Sequence, residues 1–205
     1  IIDHFSQLIE FTRLNSQQIP STNELLNIRH LVKRITHGFK VKQTDERVDI
    51  KFHVTQQTPD MIYSSPYAIS RALTNLLENA LMFTQEGEIS INVDFDETGQ
   101  DSENKLIVTV QDTGTGIDPD HLPNIFEPFY KYHNSLNSIN TGSGLGLSIV
   151  KELLQQLKGS ISVSSQLGIG SEFCFDIPIS QFESSNEINT LHTRHRINTN
   201  LHILL

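Results

Sequence analysis

Long apolar runs, clustered basic residues and cysteines are all scarce in this chain, and each scarcity closes off a class of function. No stretch of about 18 or more apolar residues occurs, so nothing reads as a bilayer-spanning helix. Lys and Arg number 15 against 24 Asp and Glu, giving a formal charge of −9, and they are scattered. That argues against a nucleic-acid surface, which shows a basic patch, and against a polybasic, membrane-contacting segment. The single cysteine, Cys174, permits no internal disulfide and reads as a small core residue in the alternating run Glu172 to Ile177. A reducing cytoplasm is the expected compartment. The start, Ile1-Ile2-Asp3-His4, has neither an initiator Met nor a signal-peptide layout, so the chain reads as a piece of something longer. What is present is ordinary globular composition, 37% hydrophobic and 19% charged over 205 residues. It suffices for one sizeable domain plus attachments.

Periodicity divides the chain. Residues 1 to about 14 predict a helix with Ile1, Ile2, Phe5, Leu8 and Ile9 along one side, too short to stand alone. A polar break at 17–23 precedes a second predicted helix from about Glu24 to Val41. Val48 to Val54 alternates as a half-buried strand. Met61-Ile62-Tyr63 leads to Ser64-Ser65-Pro66, a helix start with Pro in the first turn. The helix that follows carries Ile69, Ala72, Leu73, Leu76, Leu77 and Ala80 in register, with Arg71, Asn75, Glu78, Asn79 and Met82 on the other side, and Gly87 is read as its close. Strands are expected at 88–95 and 105–111, a short helical turn at 121–126, a helix at 149–158 and strands at 160–164 and 172–179. Residues 181–200 read as a polar linker, before the apolar run Leu201 to Leu205.

Several stretches carry chemistry. Thr141 to Ser148 places glycines at 142, 144 and 146 immediately before an amphipathic helix. A glycine-rich turn brings backbone N–H groups close to an anion, and a helix N-terminus adds free donors and a positive dipole end. A flexible loop before a surface helix is the competing reading. Asn75 and Asn79 lie four apart and project together from one helix face, with two solvated amides as the alternative. Asp112 stands at a strand end before Gly114 and Gly116, suited to a ligand approaching the backbone, or to a simple Asx turn. Residues 132–141 are rich in Asn and Ser, long for a connector, and of the kind used as lids.

The order of these pieces is more specific than any one of them. Asn75-Leu76-Leu77-Glu78-Asn79-Ala80, Asp112-x-Gly114-x-Gly116, Phe126-Glu127-Pro128-Phe129, Gly142-x-Gly144-Leu145-Gly146-Leu147 and Gly168-x-Gly170-Ser171-x-Phe173 follow one another. Together they resemble the N, G1, F, G2 and G3 boxes of the catalytic ATP-binding domain of sensor histidine kinases, over roughly residues 48 to 180. The resemblance implies a Bergerat-type two-layer α/β sandwich, with a mixed sheet packed on helices. It implies ATP and Mg²⁺ as ligands, with Asp112 accepting from the adenine amino group and Asn79 and Asn75 offering amide oxygens to the metal. Gly142, Gly144 and Gly146, with Ser143, Leu145 and Leu147, would cradle the phosphates. Gly114, Gly116, Ile117, Phe126, Phe129, Lys131 and Ser171 would complete the ATP site, Gly114 and Gly116 by letting the backbone reach the base. No Walker sequence is present.

By the same resemblance, residues 1–18 are the end of the second helix of a dimerisation and phosphoacceptor hairpin. Residues 19–47 are a linker and the first helix of the ATPase domain, 48–180 the catalytic domain, 181–200 a linker and 201–205 the start of a receiver domain. The implied parent is a hybrid histidine kinase, membrane-anchored and homodimeric, whose phosphoacceptor histidine and adjacent acid lie before residue 1. Its partners would be that upstream helix and a receiver domain or response regulator. His4 does not match the acceptor, since "DHFSQL" lacks the following acid, and reads as a helix-surface residue. One departure stands out. Met82 occupies the position where the kinases usually carry Lys, so an active kinase and a weakly active or phosphatase-biased nucleotide sensor both stay open. An ATPase of the topoisomerase or chaperone type is disfavoured, because Asn75 stands where those carry the Glu that activates water.

Overall fold

The computed structural model describes residues 2–16, 22–42, 47–97, 104–131 and 142–181. The expectations for the lid at 132–141, for the linker at 181–200 beyond Gln181, which instead ends a strand, and for the run at 201–205 lie outside the described residues, as does the side chain of His4. Three elements precede the main sheet: α1 (Ile2–Asn15), β1 (Glu24–Asn27) and α2 (Ile28–Lys42). They are followed by β2 (Val48–Val54), β3 (Met61–Ser64), α3 (Pro66–Phe83), β4 (Gly87–Asp96) and β5 (Lys105–Asp112). A 3₁₀ turn at Leu122–Asn124 leads to α4 (Gly146–Gln156), β6 (Ser160–Gln166), β7 (Gly170–Pro178) and β8 (Ser180–Gln181).

The main sheet has strand order β2-β4-β5-β7-β6, with β2 parallel to β4 and the other pairs antiparallel. Its strands alternate, and one face is apolar: Ile89, Ile91 and Val93 of β4, Leu106, Val108 and Val110 of β5, and Phe173, Phe175 and Ile177 of β7 are buried. Helices α2, α3 and α4 cover that face, giving the two-layer α/β sandwich with a mixed sheet. Helix α3 sits at its centre. Ser65 caps it by accepting the Ala68 N–H, Pro66 fills its first turn, and Ile69, Ala72, Leu73, Leu76, Leu77 and Ala80 bury its apolar stripe. A small sheet of order β1-β3-β8 joins the segments that lead into α2 and α3 to the chain after β7.

Three sequence expectations are corrected. Glu24 to Asn27 is a strand and not the start of a helix: it pairs with Met61–Ser64, and the Asn27 side chain accepts the His30 N–H, so the helix begins after it. Gly87 does not close α3. That helix ends at Phe83 with Thr84 as its cap, and Gly87 opens β4 with φ of 124°. Cys174 is only partly buried, because the alternation of β7 turns Phe173 and Phe175 to the helices and Cys174 to the opposite face, which no described helix covers.

Helix α1 gains its stability by docking on the sandwich. Phe11 and the fully buried Leu14 pack with Ala68, Leu145, Ile149 and Leu153. Beside this seam Glu10 receives Arg71 through Nε, at 2.9 Å to both oxygens, and through Nη2 at 2.7 Å, and the Tyr67 hydroxyl at 2.7 Å. The pair is mostly enclosed, so losing one partner strands the other away from water. Phe5, Leu8 and Ile9 stay exposed on another side of α1. Leu14→Ala should cost the seam about 2–5 kcal/mol and speed hydrogen exchange across α1 while α3 stays protected. Unchanged exchange in α1 would show that the seam does not hold it.

Candidate functional site: a cleft between α3 and the glycine loop before α4

One ridge of α3 carries Asn75, Asn79 and Met82, at i, i+4 and i+7. It runs beside the glycine loop. Asn75 Nδ2 donates to the Gly146 carbonyl at 3.3 Å, while a Cβ on Gly142 would meet Met82 Cε at 3.8 Å. Asn79, half-buried, falls between these two contacts. Asn75 is 2% exposed and its Oδ1 has no hydrogen-bond partner, so it is not one of two solvated amides. An orphaned acceptor at that depth is unusual and marks the site. Met82 is 39% exposed, at the mouth of the cleft.

The loop delivers a helix N-terminus into the cleft. Ile149 N–H is the first to bond back, to the Leu145 carbonyl at 2.9 Å, which leaves the N–H groups of Gly146, Leu147 and Ser148 without an intrahelical acceptor. Ser143 Oγ accepts the Leu145 N–H at 3.0 Å and also bonds Gln7 of α1. The two flanks of residues 132–141 are tied together: Phe129 N–H donates to the Gly144 carbonyl at 2.9 Å, and a Cβ on Gly144 would lie 2.8 Å from the Phe129 carbonyl carbon. Phe129 itself, with φ of 65°, is exposed and turns its ring edge-on to Phe11 at 6.3 Å between centroids. Thus Ser143 and Phe129 both face α1. Lys131 is exposed, and Tyr130 closes the flank through its hydroxyl, 2.5 Å from His121 Nδ1.

The second half of the cleft is a corner built on Asp112. It lies at the end of β5, directly across from Ser171 of β7, and only 6% of it is exposed. Gly114 N–H donates to Asp112 Oδ1 at 2.8 Å. Burial pushes the Asp112 carboxyl above its ordinary 3.8, and the backbone amides of Gly114 and Ser171 pull it partly back. Glycines pack the corner. A Cβ on Gly114 would lie 2.4 Å from the Phe83 carbonyl oxygen, on Gly116 2.1 Å from that of Gln166, and on Gly170 2.0 Å from that of Asp112. Their smallness is used first against protein backbone, a tighter reason than the approach of a ligand. Thr115 N–H reaches the Phe83 carbonyl at 3.1 Å, so the end of α3, the helix that carries the ridge, abuts the corner. Ile117 is held by its N–H on Ser165 Oγ at 2.8 Å, and Phe126 packs edge-on to Phe173 at 6.5 Å.

This arrangement offers backbone donors at one end and a buried carboxylate acceptor at the other. Residues 65–181, more than half of the chain, match the family described as histidine kinase-, DNA gyrase B- and HSP90-like ATPase. The chain belongs to this ATPase family. Over 182 residues it is 34% identical to the autoinducer 2 sensor kinase/phosphatase LuxQ of Vibrio vulnificus, covering 89% of this chain and 21% of that protein. Over 179 residues it is 32% identical to hybrid signal transduction histidine kinase A of Dictyostelium discoideum, covering 84% of this chain and 8% of that relative. The chain thus spans about a fifth or less of the length of these relatives. Full-length ShkA in complex with AMPPNP superimposes with a TM-score of 0.74 at 26% identity, over 88% of this chain and 36% of that one. The catalytic domain of histidine kinase ThkA gives 0.62 at 26% identity, over 76% of this chain and 97% of that domain. The fold is therefore that of the histidine kinase catalytic domains, and the domain is an ATP-binding one.

Two residues of the cleft escaped the sequence reading. Ser165 is a polar residue on the inward side of β6, in step with Ile161 and Val163, and that mismatch was the available signal. Gln7 had none. Among the described residues no three of His, Cys, Asp and Glu gather as a metal-ligand set, and no helix is long and apolar enough to cross a membrane. Gly168 and Gly170 both have positive φ, but a Cβ on Gly168 meets nothing within 4 Å. Gly168→Ala should therefore cost only backbone strain, about 1 kcal/mol, whereas Gly170→Ala should lower the thermal midpoint clearly further. Equal losses would contradict the packing described for the corner.

Proposed function

We propose that this segment is the catalytic domain of a two-component sensor histidine kinase, passing the γ-phosphoryl group of ATP to a histidine on an upstream helix. The reading is supported by the contact of the Asn75–Asn79–Met82 ridge with the glycine loop before α4, and of the end of α3 with the Asp112 corner, which brings donors and a buried acceptor to neighbouring parts of the fold. The adenine amino group would donate to the Asp112 carboxylate beside Ser171, with Ile117 and Phe126 lining the base. The phosphates would lie on the N–H groups that begin α4, where donors and dipole both favour negative charge. Oxygen donors suit Mg²⁺, and Asn79 is the amide on the ridge that is open enough to offer one. Asn75 is enclosed with its Nδ2 already on Gly146, so it would serve by fixing the ridge against the loop unless its orphan oxygen turns outward. Bound Mg²⁺ would supply neutralisation of phosphate charge.

In the transfer, a lone pair on the acceptor imidazole forms a P–N bond as the bond to the β-phosphate oxygen breaks and ADP leaves. Alignment of donor and acceptor supplies much of the rate. Asn75 cannot take a proton from water, which fits transfer to a side chain better than hydrolysis. The exposed Phe5, Leu8 and Ile9 of α1 fit a helix of a dimerisation hairpin, so residues 1–18 are proposed as that element and 201–205 as the entry to a receiver. The proposed parent is a membrane-anchored hybrid kinase with this domain in the cytoplasm. An extended chain restoring the upstream helix should form an acid-labile, base-stable phosphoprotein from labelled ATP and Mg²⁺; acid-stable label would place the phosphate on another residue.

A second reading, a slow or phosphatase-biased nucleotide sensor, is favoured by Met82. It sits against Gly142, where a cation could reach the phosphates, and supplies none. Met82→Lys should tighten ATP binding about tenfold, the worth of one charge-assisted hydrogen bond; equal affinities in calorimetry would remove Met82 from the phosphate site. Asp112→Asn should weaken ATP binding at least about tenfold. Because burial raises the Asp112 pKa, the acceptor is lost as pH falls through a value above 3.8. The wild-type affinity should show that acid step and the variant should not.

A further inference from the structure

Ser165 meets three groups at the Asp112 corner, two of the backbone and one hydroxyl. Its Oγ accepts the Ile117 N–H at 2.8 Å, donates to the Gly170 carbonyl at 2.8 Å and lies 3.0 Å from Ser171 Oγ. A hydroxyl has one proton and two lone pairs. The Gly170 carbonyl can only accept, so the Ser165 proton goes there. In the remaining contact Ser171 must therefore be the donor. That commits the Ser171 proton to Ser165 and leaves Ser171 Oγ with lone pairs alone. Ser171 is 8% exposed and stands directly across from Asp112, so two acceptors share one buried corner.

We infer that Ser165 is a specificity-determining positioning residue: by taking the proton of Ser171 it makes the base corner accept only, and so selects a purine with an amino group at C6 over one with a carbonyl there. The inference rests on the adenine site proposed above. The logic is one of unpaired groups. A 6-carbonyl would face the Asp112 carboxylate and the Ser171 lone pairs with no donor; the N1–H of such a base can reach one of these acceptors, but the carbonyl itself stays buried without a partner, which is costly. A 6-amino group satisfies the same corner. Removing the Ser165 hydroxyl frees the Ser171 O–H to turn and donate to a 6-carbonyl.

The test compares binding of ATP and of inosine triphosphate, which differ at that edge of the base, by calorimetry with Mg²⁺ on the full chain. The wild type should favour ATP. Ser165→Ala should narrow the preference at least fivefold, Ser165→Cys, a weak donor of similar size, should narrow it less, and Ser165→Thr, which keeps the hydroxyl, should restore it. A merely structural role would lower both affinities in proportion, so an unchanged ratio in Ser165→Ala and Ser165→Cys overturns the inference while leaving the ATP site standing. Absence of ATP binding in the wild type would instead overturn the site reading, and this inference with it. Should Ser165→Ala not fold, the Cys and Thr pair decides by the same ratio.

Discussion

Three crossings of backbone on backbone set the geometry on which the cleft depends. At Gly114 the loop after β5 presses on the last carbonyl of α3; at Gly116 it presses on the β6–β7 hairpin; at Gly170 that hairpin presses on Asp112. No side chain fits at any of the three. The end of the central helix, the end of the central strand and the return hairpin are thereby locked together, and Asp112 is sealed where its charge is least comfortable. A carboxylate held in that way is a poor contributor to stability and a good recogniser of a donor, because a further donor that reaches it is worth more there than in water.

The other half of the cleft works through free donors. Helix α4 begins at Gly146 with its first N–H groups unspent, and α3 lies against the loop before it through the Asn75 amide on Gly146. Helix α1 grips both flanks of the segment between, Phe129 through Phe11 and Ser143 through Gln7, and is itself pinned by Glu10 on Arg71 and Tyr67. Movement of α1 and rearrangement at the glycine loop before α4 are therefore mechanically connected. A region so arranged has ample dipole and little formal positive charge, and on the proposed reading any transfer would lean on positioning.

Much of this was legible in the chain. The strands at 48–54 and 105–111 and the Ser65-Pro66 cap carry their own local physics, and they hold, although the inward alternation of the first stops at Ile50 and leaves Phe52 exposed. The glycine spacings and the Asn75/Asn79 pair led to the family because the order of the boxes is specific. What failed was non-local. Glu24 to Asn27 looked helical because its leucine spacing continues into α2, and only pairing with Met61–Ser64 makes it a strand. Cys174 was placed in the core because its strand alternates, yet alternation cannot say which face the helices will cover. Asn75 and Asn79 read as one pair on a common face, yet Asn75 is buried and its amide bonds a carbonyl 71 positions away. Ser165 has no motif, and its role exists only once β6, β7 and the 114–117 loop have met.

The most direct measurement of the central claim is an amide chemical-shift map of the chain titrated with a non-hydrolysable ATP analogue and Mg²⁺. A single cleft with base and phosphate ends predicts saturating shifts at Gly114, Ile117 and Ser171 together with Gly142 to Ser148, all fitting one dissociation constant. Shifts confined to one of these ends, or clustered on the β1-β3-β8 sheet, would contradict it.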